Sequence, residues 1–194
     1  MDMAHDAESD LSDEALLLLY GGGDRMAAQH LTRRLTPRML GYATRVLGDR
    51  AEAEDVAQEA MLRLWRIAED WRAGEAQVTT WLYRVVANLC TDRLRKRRPV
   101  ALDEIAEPID GSASAAQQLQ HGARLKALDA ALSELPERQR QAVVLRHIEG
   151  LSNPEIAAVL GVSSEAVESL TARGKRALTA HLAGRKAELG FEDD

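Results

Sequence analysis

Residues 79–98 read TTWLYRVVANLCTDRLRKRR, which places Trp81 and Tyr83 ahead of Arg84, Arg93, Arg95, Lys96, Arg97 and Arg98. Aromatic rings can stack on bases taken out of a duplex, and cations neutralise the phosphates beside them. The same pattern has a plainer explanation. Cations at a helix C-terminus complement the helix dipole, and Trp81 can belong to a core. The residue types alone leave both readings open.

A second chemical pattern runs from Leu151 to Leu178. Ser152 and Glu155 have capping-box spacing, with Pro154 tolerated in the first turn, and Ile156, Ala157 and Leu160 are expected to face inward. Gly161 suits a turn that needs positive φ, and Ser163 or Ser164 can cap a following helix that buries Val167, Leu170 and Leu178. That is the layout of a helix–turn–helix, whose second helix offers its first residues to base edges and later ones to phosphates. Ser163, Ser164, Glu165, Glu168 and Ser169 occupy the reading end, and Arg173, Lys175 and Arg176 lie further along. An ordinary pair of packed helices would look similar. The third pattern, residues 55–65, reads DVAQEAMLRLW. On a helix it gathers Asp55, Gln58, Glu59, Leu62 and Arg63 on adjacent turns, which by composition is a solvated face.

The elements that carry these residues are helical. Aromatics make up only 4% of the chain while Ala, Leu and Arg are abundant, a bias toward helices and away from strands. Ser12 can cap a short helix through Tyr20 that Gly21–Gly23 stops; a second runs from about Asp24 to Leu47, with a kink or break at Pro37. Asp49 can cap a third, with Val56, Leu62 and Trp65 on its apolar phase. Thr79 or Thr80 can cap the fourth, after a loop at 72–78. Leu125, Leu128, Leu132 and Leu135 mark another helix stopped near Pro136, and one containing Val143, Val144, Leu145 and Ile148 ends at Gly150. Residues 99–122 hold two prolines and no sustained apolar stripe until Leu119, which predicts a flexible linker. The expected fold is therefore all-α: two small helical domains, 1–98 and 123–190, joined by a linker at 99–122.

Charge follows the same division. The net charge is −6, yet residues 1–23 carry six acids and no base, 99–123 four acids and no base, and 191–194 three acids. All 25 bases fall in 24–98 and 124–190, so two basic bodies are joined and flanked by acidic segments.

In order and together, the three patterns resemble the extracytoplasmic-function sigma factors of bacterial RNA polymerase, over residues 11–183. DVAQEAMLRLW is similar to the family's region 2.2, TTWLYRVVANLCTDRLRKRR to its regions 2.3 and 2.4, and residues 135–178 to its region 4. The resemblance implies a DNA-binding polymerase subunit controlled by an anti-sigma factor, with promoter DNA and core RNA polymerase (the β′ clamp helices and the β flap) as its other partners. It implies that Asp55, Gln58, Glu59, Leu62 and Arg63 dock on the clamp helices. Trp81, Tyr83, Arg84 and Asn88 would lie at the melted minus-ten element, with Arg93, Arg95, Lys96, Arg97 and Arg98 along its backbone. Region 4 would read the minus-35 element. Where many members have Lys and Arg in the recognition helix, this chain has Glu168 and Leu170. Glu168 can accept a hydrogen bond from cytosine N4.

Several function classes fit poorly. Cys90 is the only cysteine, which excludes an internal disulfide and a multi-cysteine zinc site. There is no Gly-rich phosphate loop, and the five histidines are scattered, so neither a cofactor nor a metal is expected. No apolar run reaches the roughly 20 residues of a membrane span, and residues 1–10 lack the pattern of a secretion signal. A cytoplasmic protein without catalytic activity is expected. The competing readings are a stand-alone helix–turn–helix regulator and an enzyme with a DNA-binding tail; residues 1–98 show no catalytic constellation for the latter.

Overall fold

The computed structural model describes residues 11–74, 76–97 and 115–183, with side chains in the helix that starts at 115 described from Arg124 onward. Among these residues the chain forms helices and no strand. Arg98 and positions 99–114 of the expected linker lie outside them.

Local capping chemistry sets most of the boundaries. Helix α1 (Asp13–Gly21) starts where the Ser12 hydroxyl accepts from the Ala15 N–H at 3.2 Å. Helix α2 (Arg25–Leu47) starts at Asp24, which accepts from Met26 N–H at 2.8 Å, and stops at Gly48 in the left-handed region. Helix α3 (Arg50–Ile67) is capped by Asp49 through Glu52 N–H at 3.0 Å. A short 3₁₀ turn, Ala68–Asp70, follows it. Helix α2 runs unbroken through Pro37, where the sequence predicted a kink or break. Pro37 is exposed, so water can satisfy the carbonyl one turn back that its missing N–H leaves without a helical partner.

Helix α4 (Val78–Arg97) begins a turn earlier than Thr79 or Thr80 could cap it. Val78 is buried, and Trp81 N–H already bonds to the Gln77 carbonyl at 3.0 Å; core burial rather than a side-chain cap sets this start. Helix α5 (Ala115–Ser133) opens inside the stretch read as linker. Residues 115–120 are Ala, Gln and Leu, good helix formers that need no apolar stripe. Helices α6 (Glu137–His147), α7 (Asn153–Leu160) and α8 (Ser164–Ala183) complete the chain.

α2 is the central helix of the N-terminal half and packs on α1, α3 and α4. In the C-terminal half α8 lies against α5, α6 and α7. The halves are not separate bodies in this structure: α4 packs on α7, and α2 on α5 and α6. A single buried apolar cluster runs from Leu16 to Val167.

One close approach sets how α8 packs. A Cβ at Gly174 of α8 would sit 2.5 Å from Val143 Cγ2 and 3.3 Å from the Gln139 carbonyl oxygen. Overpacking of that kind costs about 1–3 kcal/mol, against about 1 kcal/mol gained by removing a helix-interior glycine. Gly174→Ala is therefore expected to lower the urea midpoint. Adding Val143→Ala should cost less than the sum of the two single changes, because the clash is then gone. Additive losses would mean that Val143 is not what holds α8 in place.

Candidate DNA and polymerase interfaces

The face of α3 predicted for docking is at the surface. Asp55, Gln58, Leu62 and Arg63 are exposed and Glu59 is half-buried. Glu59 accepts from Arg63 Nε at 2.8 Å, and that hydrogen bond, with the charge of Arg63, holds the Glu59 carboxyl below the usual carboxylate range. Trp65, one turn on from Leu62 at the edge of the same face, is half-buried against the core, with Tyr20 edge-on at 4.8 Å. A shallow groove of about 450 Å³ between α2 and α3 is lined by Leu40, Met61, Leu62 and Trp65 on its apolar side and Gln58 at its rim.

The α4 set divides. Arg84 and Asn88 are exposed on one face. Trp81 is half-buried, packed against the core and edge-on to Trp71 at 6.1 Å. Tyr83 is fully buried. Its ring meets Tyr42 edge-on at 5.6 Å, and its hydroxyl donates to the Glu149 carboxylate. Burial, then that hydrogen bond, push the Tyr83 hydroxyl far above its ordinary range, so it is a neutral donor. In this arrangement Tyr83 cannot stack on a base.

The cations at the end of α4 divide as well. Arg97 bonds to Glu52 at 2.9 Å, lies 3.5 Å from Asp49, and donates to the Leu47 carbonyl at 2.9 Å. Arg93 lies 3.9 Å from Glu52 and 3.8 Å from Asp55. These two close the base of the N-terminal bundle. Arg95 is exposed, 4.0 Å from Asp92, and Lys96 is exposed too. Cys90, on the buried face of this helix, has its thiol pushed up to about 12 by desolvation.

The helix–turn–helix has the predicted local chemistry. The Ser152–Glu155 capping box is complete, and those hydrogen bonds hold the Glu155 carboxyl below its usual range. Gly161 takes φ 65°, and the Ser163 hydroxyl accepts from Ala166 N–H at 3.2 Å. Ile156, Leu160 and Val167 are buried as expected; Ala157, Leu170 and Leu178 are half-buried, and Val159 takes a place in the core that the sequence reading missed. On α8, Ser163, Glu165, Glu168, Ser169, Arg173, Lys175 and Arg176 are exposed and Ser164 is half-buried. Asn153, at the start of α7, donates to Glu168 at 3.3 Å and aims its carboxylate.

Other polar residues that the sequence reading passed over join the two halves. Thr91 donates to Glu137 at 2.5 Å, and Gln141 donates to Thr91 at 3.1 Å. Arg140 donates to the Val46 carbonyl at 2.6 Å. They pair across 46 to 94 positions of chain, so no local pattern could have announced them. Gly174 did carry a signal, being a glycine inside a helix. Among the described residues no group of three or more metal-binding side chains comes together, and no helix is long and apolar enough to cross a membrane.

The comparisons with known proteins agree with this layout. The Sigma-70 region 2 family matches residues 31–100, and Sigma-70, region 4 matches residues 125–178. The ECF RNA polymerase sigma factor SigE of Mycolicibacterium smegmatis is 36% identical over 173 residues, covering 86% of this chain and 66% of its own length. SigM of Mycobacterium tuberculosis is 36% identical over 176 residues, covering 89% of this chain and 85% of that protein. Among solved structures, CnrH in complex with the cytosolic domain of CnrY aligns with a TM-score of 0.67 at 27% identity, over 89% of this chain and 97% of that one. The fold is shared at 21% identity with the sigma factor RpoE, solved with the anti-sigma factor NepR from Bartonella quintana (TM-score 0.66, 80% of this chain and 96% of that one). With both sigma regions matched in order on one all-helical chain, the protein belongs to the extracytoplasmic-function family of RNA polymerase sigma factors, which are regulators of transcription.

Proposed function

We propose that this sigma factor works in the cytoplasm as a binding subunit rather than a catalyst, with its contacts divided among three helices. The exposed face of α3 (Asp55, Gln58, Glu59, Leu62, Arg63) docks on the β′ clamp helices of core polymerase. The exposed edge of α4 (Arg84, Asn88, Arg95, Lys96), with Trp81 and Tyr83 once they are uncovered, receives the unpaired minus-ten strand. Helix α8 reads duplex minus-35 DNA, with region 4 also reaching the β flap. Capture of unpaired bases holds the melted strand, so opening requires no nucleotide hydrolysis by this chain. An anti-sigma protein is the expected controlling partner. The observation that carries the reading is α8 itself: its reading-end and phosphate-side residues stand at the surface while Val167 and Gly174 bury its other face. Transcription in vitro with purified core polymerase on genomic fragments tests it directly; no promoter-specific transcript would end it.

Replacing Asp55 and Glu59 together by Ala should leave helix content and melting temperature intact. Core-polymerase affinity should fall at least about fivefold, the scale of losing about 1 kcal/mol at an interface. Unchanged affinity in a titration would remove α3 from the docking surface. Asn88→Ala should reduce open-complex formation, read by permanganate reactivity, more than closed-complex binding. Equal loss at both steps would take Asn88 away from the unpaired strand.

The α4 cations should separate by role. Each phosphate contact contributes about 0.7–0.9 to the log–log salt slope of binding. Replacing Arg95 and Lys96 by Ala in holoenzyme should flatten the promoter-binding slope by about 1.4–1.8 and leave stability unchanged. Arg97→Ala should instead lower the melting temperature by the equivalent of about 1 kcal/mol, since it removes a backbone and carboxylate partner at a partly screened site. A slope that responds to Arg97 and ignores Arg95 and Lys96 would reverse the assignment.

A further inference from the structure

We propose that α8 selects a cytosine in the minus-35 element through the Glu168 carboxylate, and that Asn153 of α7 is the positioning residue that holds that carboxylate in place. This rests on the reading of α8 as the minus-35 helix, and it names one base of the target.

The two acids at the reading end of α8 do different work. The Glu165 carboxylate accepts from its own backbone N–H and from the Ser163 hydroxyl, and those bonds hold it below the usual carboxylate range. Ser163 in turn accepts from Ala166 N–H, so Glu165 belongs to the cap of the helix. Glu168 lies three residues on, clear of that cap. Its Oε1 accepts from Asn153 Nδ2 at 3.3 Å, and among the described residues nothing else bonds to it.

The Asn153 amide stands on a fixed base. Asn153 opens α7 between the Ser152 cap and Pro154, and the Ser152–Glu155 box ties that turn down from both ends. At 3.6 residues per turn, Glu168 stands about 100° round α8 from buried Val167, on the flank turned to the start of α7. A carboxylate without a partner there would be free to swing into solvent. Bonded to Asn153, it stays put and keeps its second oxygen for an incoming donor. The bond is exposed in the free chain, and it strengthens when DNA covers it and water leaves.

The chemistry of the base edges picks the partner. An ionised carboxylate can only accept. Guanine presents N7 and O6 in the major groove and thymine presents O4, all acceptors that repel it. Adenine offers its N6 donor with the N7 acceptor beside it. Cytosine offers its N4 donor with no acceptor beside it on the same base, so it suits Glu168 best. Phosphate attraction is supplied elsewhere: Arg173, the first exposed cation on α8, comes five residues later, about 7.5 Å along the axis. Glu168 therefore contributes choice of base rather than general affinity.

The test selects minus-35 sequences from duplexes randomised in that element, using holoenzyme formed with the full chain. The native protein should recover cytosine at one position at least about fivefold over any other base. Glu168→Gln should move that position alone toward adenine, and Glu168→Lys should move it toward guanine, since those side chains pair with N6/N7 and O6/N7. Asn153→Ala should flatten the cytosine preference there and change no other position. Asn153→Asp, which sets a second carboxylate against Glu168, should flatten it further. An Asp in the first turn favours a helix, so that loss cannot be a loss of fold. Replacing the 4-amino group of the selected cytosine by hydrogen should cost the native holoenzyme at least about fivefold in affinity, and Glu168→Ala far less. A preference that survives Glu168→Lys unchanged would overturn the proposal, as would any base other than cytosine at the position the Glu168 variants move. Equal losses at every position with Asn153→Ala would overturn its positioning role. If the native holoenzyme selects no minus-35 sequence at all, the reading of α8 as the minus-35 helix fails, and the cytosine with it.

Discussion

Everything in this structure turns on where the Tyr83 ring goes. It is buried against Tyr42 of α2, and its hydroxyl ends on Glu149 of the other half of the chain. Burying a large side chain stabilises by about 1.5–3 kcal/mol, and a buried hydroxyl left without its partner costs about 1–3 kcal/mol. The ring contact lies within the N-terminal half, and only the hydroxyl's partner comes from the other half. The apolar part of Tyr83 therefore ties α4 to the N-terminal bundle, and its polar end ties that bundle to region 4.

Charge is arranged to do two jobs at the end of α4. Asp49 and Glu52 sit at the start of α3, where acids favour the positive end of the helix dipole; Arg93 and Arg97 come from the last turns of α4, where cations favour the negative end. Pairing them joins two helix termini and uses up part of the positive field in the N-terminal half. Among the described residues of α4, Arg84 and Lys96 have no carboxylate that close and Arg95 is only loosely set against Asp92; under the proposed function these are the cations that α4 leaves for DNA. On α8 the balance differs, because Glu165 and Glu168 stand at the reading end and the cations follow. Under the proposed role of α8, such an arrangement favours bases that present donors, such as the cytosine amino group, over attraction to phosphate alone.

The parts of the fold legible in the sequence were those set by chemistry within four residues. Ser12, Asp49, the Ser152–Glu155 box, Gly161 and Ser163 each cap or turn the chain where expected, because each acts on the backbone beside it. Where a distant contact decides, the local pattern misled. Val78 is pinned by the core, so α4 starts before either threonine. The early start of α5 at Ala115 is a different miss: helix propensity was there to read, but the apolar stripe was the signal sought. The candidate residues show the same split. The exposed set on α3 and α8 was readable from helical phase. The burial of Tyr83 was not, because its partner Glu149 is 66 positions away.

The Glu149 and Gln141 contacts tie the two halves together, and a tie of that kind couples partners that never touch. A ligand that binds only with the halves apart works against the free energy of the Glu149 and Gln141 contacts. A partner that prefers the halves together adds to it. By linkage, each such partner weakens the other by the same factor. The factor is set by the seam rather than by either binding surface. A matched polar seam suits this role better than an apolar one, since water can take back its groups when it opens. A wholly apolar seam of equal size would resist parting, because its faces would have to meet water without any polar group to hydrate.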